Sequence, residues 1–242
     1  EAPPSRWVEL FEGFFARLAE LDPIGQEAAQ ELIDAAAAGE GILVNELLAD
    51  GIPAWVRVPS GETALVAAAI EGHAEVVLLL LEAEAEVNQR NAYGKSALLL
   101  AAYNGHAEVV LDLLHAGADI NEIDCTGWAP LMAAAQSGHS GIVSLFLARG
   151  ARVEATMRGE QTALTIASYH GRDEAIELLI AAGASPDSAT QEGTSALWLA
   201  AGQGHLETVA LLLGHGSDIG TADKMGRTAL YSAAGAGHHK IV

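Results

Sequence analysis

Glycine recurs every 33 residues along this chain of 242 residues, and the spacing does not slip. A leucine stands seven residues before each of these glycines, an alanine four before, and a β-branched residue five after. A period in the range of roughly 20 to 50 residues indicates an array of repeats, in which each unit packs only against its neighbours. The seven glycines are Gly39, Gly72, Gly105, Gly138, Gly171, Gly204 and Gly237.

Each repeat predicts two short helices and a loop. Before Gly72, apolar residues such as Leu65 and Ala68 recur with helical spacing and form one face. Gly72 then ends the first helix, because a chain reversal there needs a positive φ that glycine adopts without strain. The next segment places Val77 and Leu80 on the apolar face of a second helix, and a polar, glycine-containing stretch then predicts a hairpin-like loop.

These units resemble ankyrin repeats in the segments TALVAAAIEGHAEVVLLLLEAEAEVNQRNAYGK and SALLLAAYNGHAEVVLDLLHAGADINEIDCTGW. The resemblance implies an all-α fold: an ankyrin-repeat solenoid of stacked helix-turn-helix units with hairpin-like loops, called fingers. A degenerate N-terminal unit is expected at 30–62 and a partial unit at 228–242. Five full units are expected between them, at 63–95, 96–128, 129–161, 162–194 and 195–227.

Two departures from the ankyrin pattern carry structural expectations. The family's TPLH motif keeps its proline only at Pro130, and its histidine is replaced throughout, so the hydrogen bonding that this histidine supplies in the family is absent and we expect the fingers to be held more by packing. Gly159 stands one place early, which predicts irregular geometry around residues 154–161. The residues that replace the histidine are Val66, Leu99, Met132, Thr165, Trp198 and Tyr231.

We divide the chain into an N-terminal amphipathic helix at 1–24 and the ankyrin-repeat domain at 25–242. Apolar residues at helical spacing, including Trp7, Phe11 and Phe14, define the N-terminal helix. Two roles are open for it: it covers the apolar end of the solenoid, or it binds a partner or a second copy. Because the sequence starts at Glu1 and stops within a repeat, we expect a piece of a longer protein.

The net charge of −20 disfavours nucleic-acid binding, because the acidic surface repels phosphates. Residues 1–89 carry 17 acids and 3 arginines, so we expect the N-terminal half to attract a basic segment of a partner. A single cysteine, Cys125, fits a reducing compartment, and we expect the cytoplasm. The longest apolar run is about half the ~20 residues of a membrane helix, so no span is predicted.

Five histidines follow a repeat glycine, and we interpret them as structural residues that set the start of the second helix. Stacked helices lie about 8 to 10 Å apart, whereas zinc takes ligands at about 2.0 to 2.1 Å, so adjacent copies are too distant to share an ion. Glu40 and Arg172 occupy the same position in other repeats. We therefore predict no metal and no cofactor, and without a nucleophile or phosphate-binding motif we predict no catalytic residue.

In the ankyrin family, ligands usually lie on the concave face formed by the fingers and first helices. Of the eight Tyr and Trp residues here, none falls on a second helix, and these residue types are enriched in binding hot spots. Trp198 and Tyr231 have an alternative role in packing between repeats. The predicted partner-binding residues are Ile70, Tyr93, Lys95, Tyr103, Asn104, Trp128, Gln136, Arg158, Tyr169, His170, Trp198 and Gln203.

The sequence thus predicts a non-enzymatic module that binds a partner protein or peptide on its concave face. The alternative is a structural, self-associating or regulatory spacer segment of a larger multidomain protein. The size of the protein in solution with and without residues 1–24 separates the two, because a monomer in both forms would remove self-association.

Overall fold

A computed structural model describes residues 23–242. These residues form thirteen α-helices, and within them the β-structure is limited to isolated bridges. The helix predicted at 1–24 lies outside the described residues except for its last two positions, where α1 begins. The helices are α1 (Pro23–Ala38), α2 (Gly41–Ala49), α3 (Ala64–Glu71), α4 (Ala74–Glu82), α5 (Ala97–Asn104), α6 (Ala107–His115), α7 (Pro130–Ser137), α8 (Ser140–Ala148), α9 (Ala163–Tyr169), α10 (Asp173–Ala181), α11 (Ala196–Gln203), α12 (Leu206–Gly214) and α13 (Ala229–Ala236).

The odd-numbered helices α1 to α13, here called the first helices, stack in one layer, and the even-numbered second helices stack in another. Each first helix packs against the next one and against its own second helix. Alanines such as Ala68, Ala101 and Ala134 are fully buried between first helices, where their small side chains allow close approach. The predicted all-α ankyrin solenoid is confirmed.

A Ser or Thr side chain caps the N-terminus of four of the first helices. Thr63 Oγ1 accepts a hydrogen bond from the Val66 amide at 3.2 Å, and Ser96 Oγ accepts one from Leu99 at 3.1 Å. Thr162 and Ser195 cap α9 and α11 in the same way. Such a cap typically stabilises a helix by about 1 kcal/mol, because it satisfies an amide that has no partner within the helix.

Five of the seven repeat glycines are followed by a histidine, and each of these histidines joins two repeats. Its Nε2 lies within hydrogen-bond distance of a backbone carbonyl 36 residues earlier, at the end of the preceding first helix. Four of these histidines occupy the N-cap position at the start of a second helix, as expected, and none of the four makes a side-chain capping bond. The pairs are His73 with Ala37 (2.9 Å), His106 with Ile70 (2.8 Å), His139 with Tyr103 (3.1 Å), His205 with Tyr169 (3.0 Å) and His238 with Gly202 (3.1 Å).

The repeat glycines leave room for these rings. At Gly171, which has a φ of 64°, a Cβ atom would lie 2.7 Å from the His205 ring. At Gly138 the neighbour is Arg172, whose Nε donates to the Gln136 carbonyl at 3.0 Å in place of a histidine. The repeat glycines from Gly39 to Gly204 therefore both turn the chain and open a slot for the side chain of the next repeat.

This double role predicts an unusually large effect of Gly105→Ala. The substitution places a left-handed non-glycine residue at φ 86° and overlaps the His139 ring, so we expect about 2 to 4 kcal/mol of destabilisation. Gly117→Ala is the matched control, because Gly117 has a φ of 92° with nothing within 4 Å of a Cβ atom, and about 1 to 2 kcal/mol is expected there. Urea unfolding measures both, and equal losses would contradict the slot.

Candidate partner-binding surface

Six hairpin loops project from the stack between each second helix and the next first helix. A backbone hydrogen bond closes each turn, as from the Asn91 amide to the Lys95 carbonyl at 2.9 Å. Antiparallel bridges such as Arg90 with Ser96 flank four of them. We name the loops fingers 1 to 6, at residues 57–62, 90–95, 123–128, 156–161, 189–194 and 222–227.

Side-chain acceptors fix the turns of fingers 2, 3 and 6. In finger 3, Asp124 Oδ1 accepts hydrogen bonds from the amides of Thr126 (2.8 Å) and Trp128 (2.9 Å), and from the Thr126 hydroxyl. Burial alone would raise the pKa of Asp124, but these bonds outweigh it and lower the pKa. Asn91 and Asp223 accept equivalent backbone bonds in fingers 2 and 6.

Finger 4 departs from this arrangement, as the early glycine predicted. Met157 stands where fingers 2, 3 and 6 have Asn91, Asp124 and Asp223, and it offers no oxygen acceptor. Gly159 and Glu160 both have positive φ, at 82° and 59°. A left-handed conformation is unfavourable by about 1 to 2 kcal/mol for a residue with a Cβ atom, so this finger is held under backbone strain.

A cleft of about 240 Å³ opens on the concave face beside finger 4. Thr165 at its base is a small residue at the position where neighbouring first helices have Met132 and Trp198, which leaves space between α7 and α11. Four of the predicted binding residues meet in this cleft. They come from finger 3, from α7 and from the C-terminal end of α9. The cleft is lined by Trp128, Gln136, Gln161, Thr165, Ile166, Tyr169, His170 and Leu199.

The cleft has an aromatic, uncharged wall. The rings of Tyr169 and His170 meet edge to face, with centroids 5.0 Å apart and an interplanar angle of 83°. Burial lowers the pKa of His170, and the positive charge of Arg172 and the nearby His205 lower it further. The imidazole therefore favours its neutral form, which both donates and accepts a hydrogen bond.

The other predicted residues lie along the same face but outside the cleft. Tyr93 is 72% exposed at finger 2, and Tyr103 is 42% exposed at the end of α5. Asn104 Nδ2 donates to the Ile70 carbonyl at 3.0 Å, and the Ile70 side chain packs partly against the core. Lys95, Arg158 and Gln203 occupy fingers 2 and 4 and the end of α11.

Trp198 lies apart from the cleft and is half-buried between repeats. The Arg227 guanidinium lies 5.7 Å from its ring centroid, and its Nε1 is buried without a hydrogen-bond partner. Sequence reasoning did not assign Thr165, Ile166 and Leu199 to a site. The small volume of Thr165 beside two larger residues was the available signal for the first of them.

Stacked pairs of short helices, capped by hydroxyls and linked by hydrogen-bonded fingers, define the class of repeat solenoids. Within it, a family model for "Ankyrin repeats (3 copies)" matches residues 32–124, 107–190 and 167–242, and the chain belongs to the ankyrin-repeat family. Members of this family are generally protein–protein interaction modules and are typically not enzymes.

One similar solved structure is the human ASB11 ankyrin repeat domain. It is 27% identical, with a TM-score of 0.78 over 84% of this chain and 90% of that one. No match was found among curated protein sequences. Among residues 23–242, no helix is long and apolar enough to cross a membrane, and no group of three or more His, Cys, Asp or Glu side chains is arranged to hold a metal ion.

Glu122 is a buried carboxylate at the base of the fingers, and it predicts that Glu122→Gln increases the stability of the fold in a pH-dependent way. Glu122 accepts from the Ser96 hydroxyl and lies 3.8 Å from Arg90, yet burial raises its pKa above the usual 4.5. Its folded form therefore prefers the proton, and this contribution to stability is full below pH 4.5 and is lost as pH rises through the folded pKa. Urea unfolding should show the variant more stable than the parent near pH 7, with the difference shrinking toward pH 4.5.

Glu192→Gln, at an exposed position in finger 5, supplies the baseline for that comparison. If Glu122→Gln destabilises the protein near pH 7, the attraction of Arg90 outweighs burial and the stated direction is wrong.

His170 gives a second prediction about the pH dependence of stability, for a group that is charged when protonated rather than when deprotonated. Its folded pKa lies below the ordinary 6.5, so the unfolded state binds the proton more readily and the parent loses stability as pH falls below 6.5. Relative to His170→Gln, the parent should lose unfolding free energy between about pH 7.5 and pH 5.5. An NMR titration of the imidazole checks the cause, and a midpoint at or above 6.5 would contradict it.

Proposed function

We propose that the concave face binds another protein or peptide, and that the cleft beside finger 4 receives an apolar or aromatic side chain of that partner. The observation that carries the proposal is the meeting of Trp128, Gln136, Tyr169 and His170 around one uncharged cleft. Hot spots of protein interfaces are enriched in Trp and Tyr that line such pockets.

The lining residues supply both apolar contact surface and hydrogen-bonding groups that can orient a bound side chain. Trp128, Ile166 and Leu199 offer surface for a buried side chain, while the amides of Gln136 and Gln161 offer hydrogen bonds at the rim. The neutral imidazole of His170 adds a donor and an acceptor without a charge that must be desolvated. This combination suits a protein side chain better than a charged metabolite.

Exposed tyrosines extend the surface on one side of the cleft. Tyr103 and Tyr93 lie one and two units before α7, and neither is needed to fill the core. Tyr presents a large contact area with few rotatable bonds, so little conformational entropy is lost on binding. We propose that the partner runs along several repeats from finger 2 to finger 4.

A basic segment of the partner is proposed to face the acidic N-terminal half. Glu27, Glu31 and Asp34 of α1 line a groove there together with Glu40 and Leu43, and this supports steering of positive charge. We further propose that the module is not catalytic and acts in the cytoplasm, where a free exposed Cys125 stays reduced.

Replacing two tyrosines tests the proposed surface. Tyr103→Ala with Tyr169→Ala removes aromatic contacts at and beside the cleft, and loss of one hot spot is about 2 kcal/mol or more, roughly a 30-fold loss of affinity. We expect proteins captured from a native lysate by the immobilised parent domain to be depleted at least tenfold on the variant, as measured by quantitative mass spectrometry.

The matched control is Leu78→Ala with Leu206→Ala, two partly exposed apolar residues on second helices. The control should capture the same proteins as the parent, and circular dichroism melting checks that both variants are folded. Capture that is unchanged by the tyrosine substitutions, or that depends on the leucines instead, would place the interface elsewhere.

A further inference from the structure

Charge is divided between the two sides of this acidic molecule. The six second helices, α2 to α12, contain nine acidic residues and no Lys or Arg. The six fingers contain half of the twelve Lys and Arg residues of the chain, together with five acids. The second helices therefore carry a net charge of −9, whereas the fingers, with six bases and five acids, carry +1.

Two of the finger acids contribute little to the outer potential. Asp124 and Asp223 are buried, 7% and 6% exposed, and their carboxylates accept backbone hydrogen bonds of their own turns. Asp223 also pairs with Arg227 at 2.6 Å. The acids left at the surface of the fingers are Glu62, Glu160 and Glu192.

Fingers 2 to 6 form one continuous edge. The Arg158 amide donates to the Thr126 carbonyl at 3.2 Å, the Gln191 amide to the Gly159 carbonyl at 2.7 Å, and the Lys224 amide to the Glu192 carbonyl at 3.0 Å. Between fingers 2 and 3, Cys125 Sγ donates to the Tyr93 carbonyl at 3.2 Å. These hydrogen bonds thus hold successive fingers in a row.

Three basic residues in fingers 2 to 6 have no carboxylate within ion-pair distance among the described residues; Arg158 Nη2 donates to the Cys125 carbonyl at 3.3 Å, and the Lys95 charge helps to lower the pKa of Asp124. Across residues 23–242, Lys95, Arg158 and Lys224 form no ion pair with a carboxylate, whereas Arg90 and Arg227 each have an acidic neighbour. Arg158 and Lys224 are exposed and Lys95 is half-buried. They belong to fingers 2, 4 and 6, so consecutive members of the set are two repeats apart.

Screening keeps this row distinct from the acidic outer layer. A helix is about 10 to 12 Å in diameter, and a first helix separates the fingers' concave side from the second helices. The Debye length is about 8 Å at physiological ionic strength, so exposed charges on the second helices are largely screened at the fingers. The charges within the row itself dominate the potential that a partner meets there.

Resting on the proposed function, we propose that the segment bound along the fingers is an extended acidic peptide whose aromatic anchor enters the cleft. Helices packed about 8 to 10 Å apart place alternate fingers roughly 16 to 20 Å apart, which an extended chain spans in about five to six residues. The cleft lies beside finger 4, which carries Arg158, and takes Trp128 from finger 3, while Lys95 and Lys224 lie two repeats away on either side of Arg158. The recognised pattern is therefore an aromatic residue with an acid close to it, and further acids about five to six residues away on both sides.

Selection from a random displayed peptide library tests this pattern. Peptides of about 16 residues are long enough, since they span roughly 50 Å when extended. Pools are selected on the parent domain and on the triple variant Lys95→Glu, Arg158→Glu, Lys224→Glu, and then sequenced. We expect acidic residues at the stated spacing around an aromatic in the parent pool, and on the order of tenfold weaker binding of those peptides to the triple variant.

The matched control reverses three exposed bases away from the fingers: Arg149→Glu, Arg152→Glu and Lys240→Glu. It changes the net charge by the same amount, so it should keep the acidic pool if the row of bases is responsible. Loss of binding on both variants, or a parent pool rich in aromatics without acids, overturns the acidic pattern and leaves the proposed function standing. A parent pool with no enrichment over bare beads counts against the proposed function itself.

Discussion

The structure depends on one recurring contact, the hydrogen bond from the side chain after each repeat glycine from Gly72 onward to a carbonyl at the end of the preceding first helix. Such carbonyls have no partner within their own helix, so a buried interface between repeats would otherwise leave them unsatisfied. The His106 ring serves the Ile70 carbonyl, and Arg172 serves Gln136 in the same way. The donor always comes from the following repeat. The carbonyl at the end of a first helix is therefore satisfied only when the next repeat is stacked on it.

Much of the fold follows from rules that act within one repeat. The alanine and leucine spacing defines the first helices, Thr63 and Ser96 mark where two of them begin, and the glycine period marks their ends. The bond made by His106 was not foreseen, because its acceptor is 36 residues away and comes within reach only after two units stack. Sequence patterns within one repeat predict its helices and loops. Contacts between repeats are not predicted in this way, because they depend on how far apart the stacked repeats lie.

The cleft shows the same division between local and non-local information. Membership of Trp128, Tyr169 and His170 in one face followed from their positions in the repeat. Their convergence did not, because it results from the small volume of Thr165 between α7 and α11. The strain at Glu160 adds a second local difference to the same part of the array, so the most distinctive surface lies where the repeats are least alike.

The glycine slot also sets the step by which the length of this molecule can change. A segment of 33 residues inserted or deleted in frame returns every ring to a glycine, as the slots at Gly39, Gly72 and Gly171 illustrate. A change of any other length within the helices shifts the register and directs a ring against a side chain. The array is therefore extensible in whole repeats, and the fingers absorb shorter variation because they lie outside the slots.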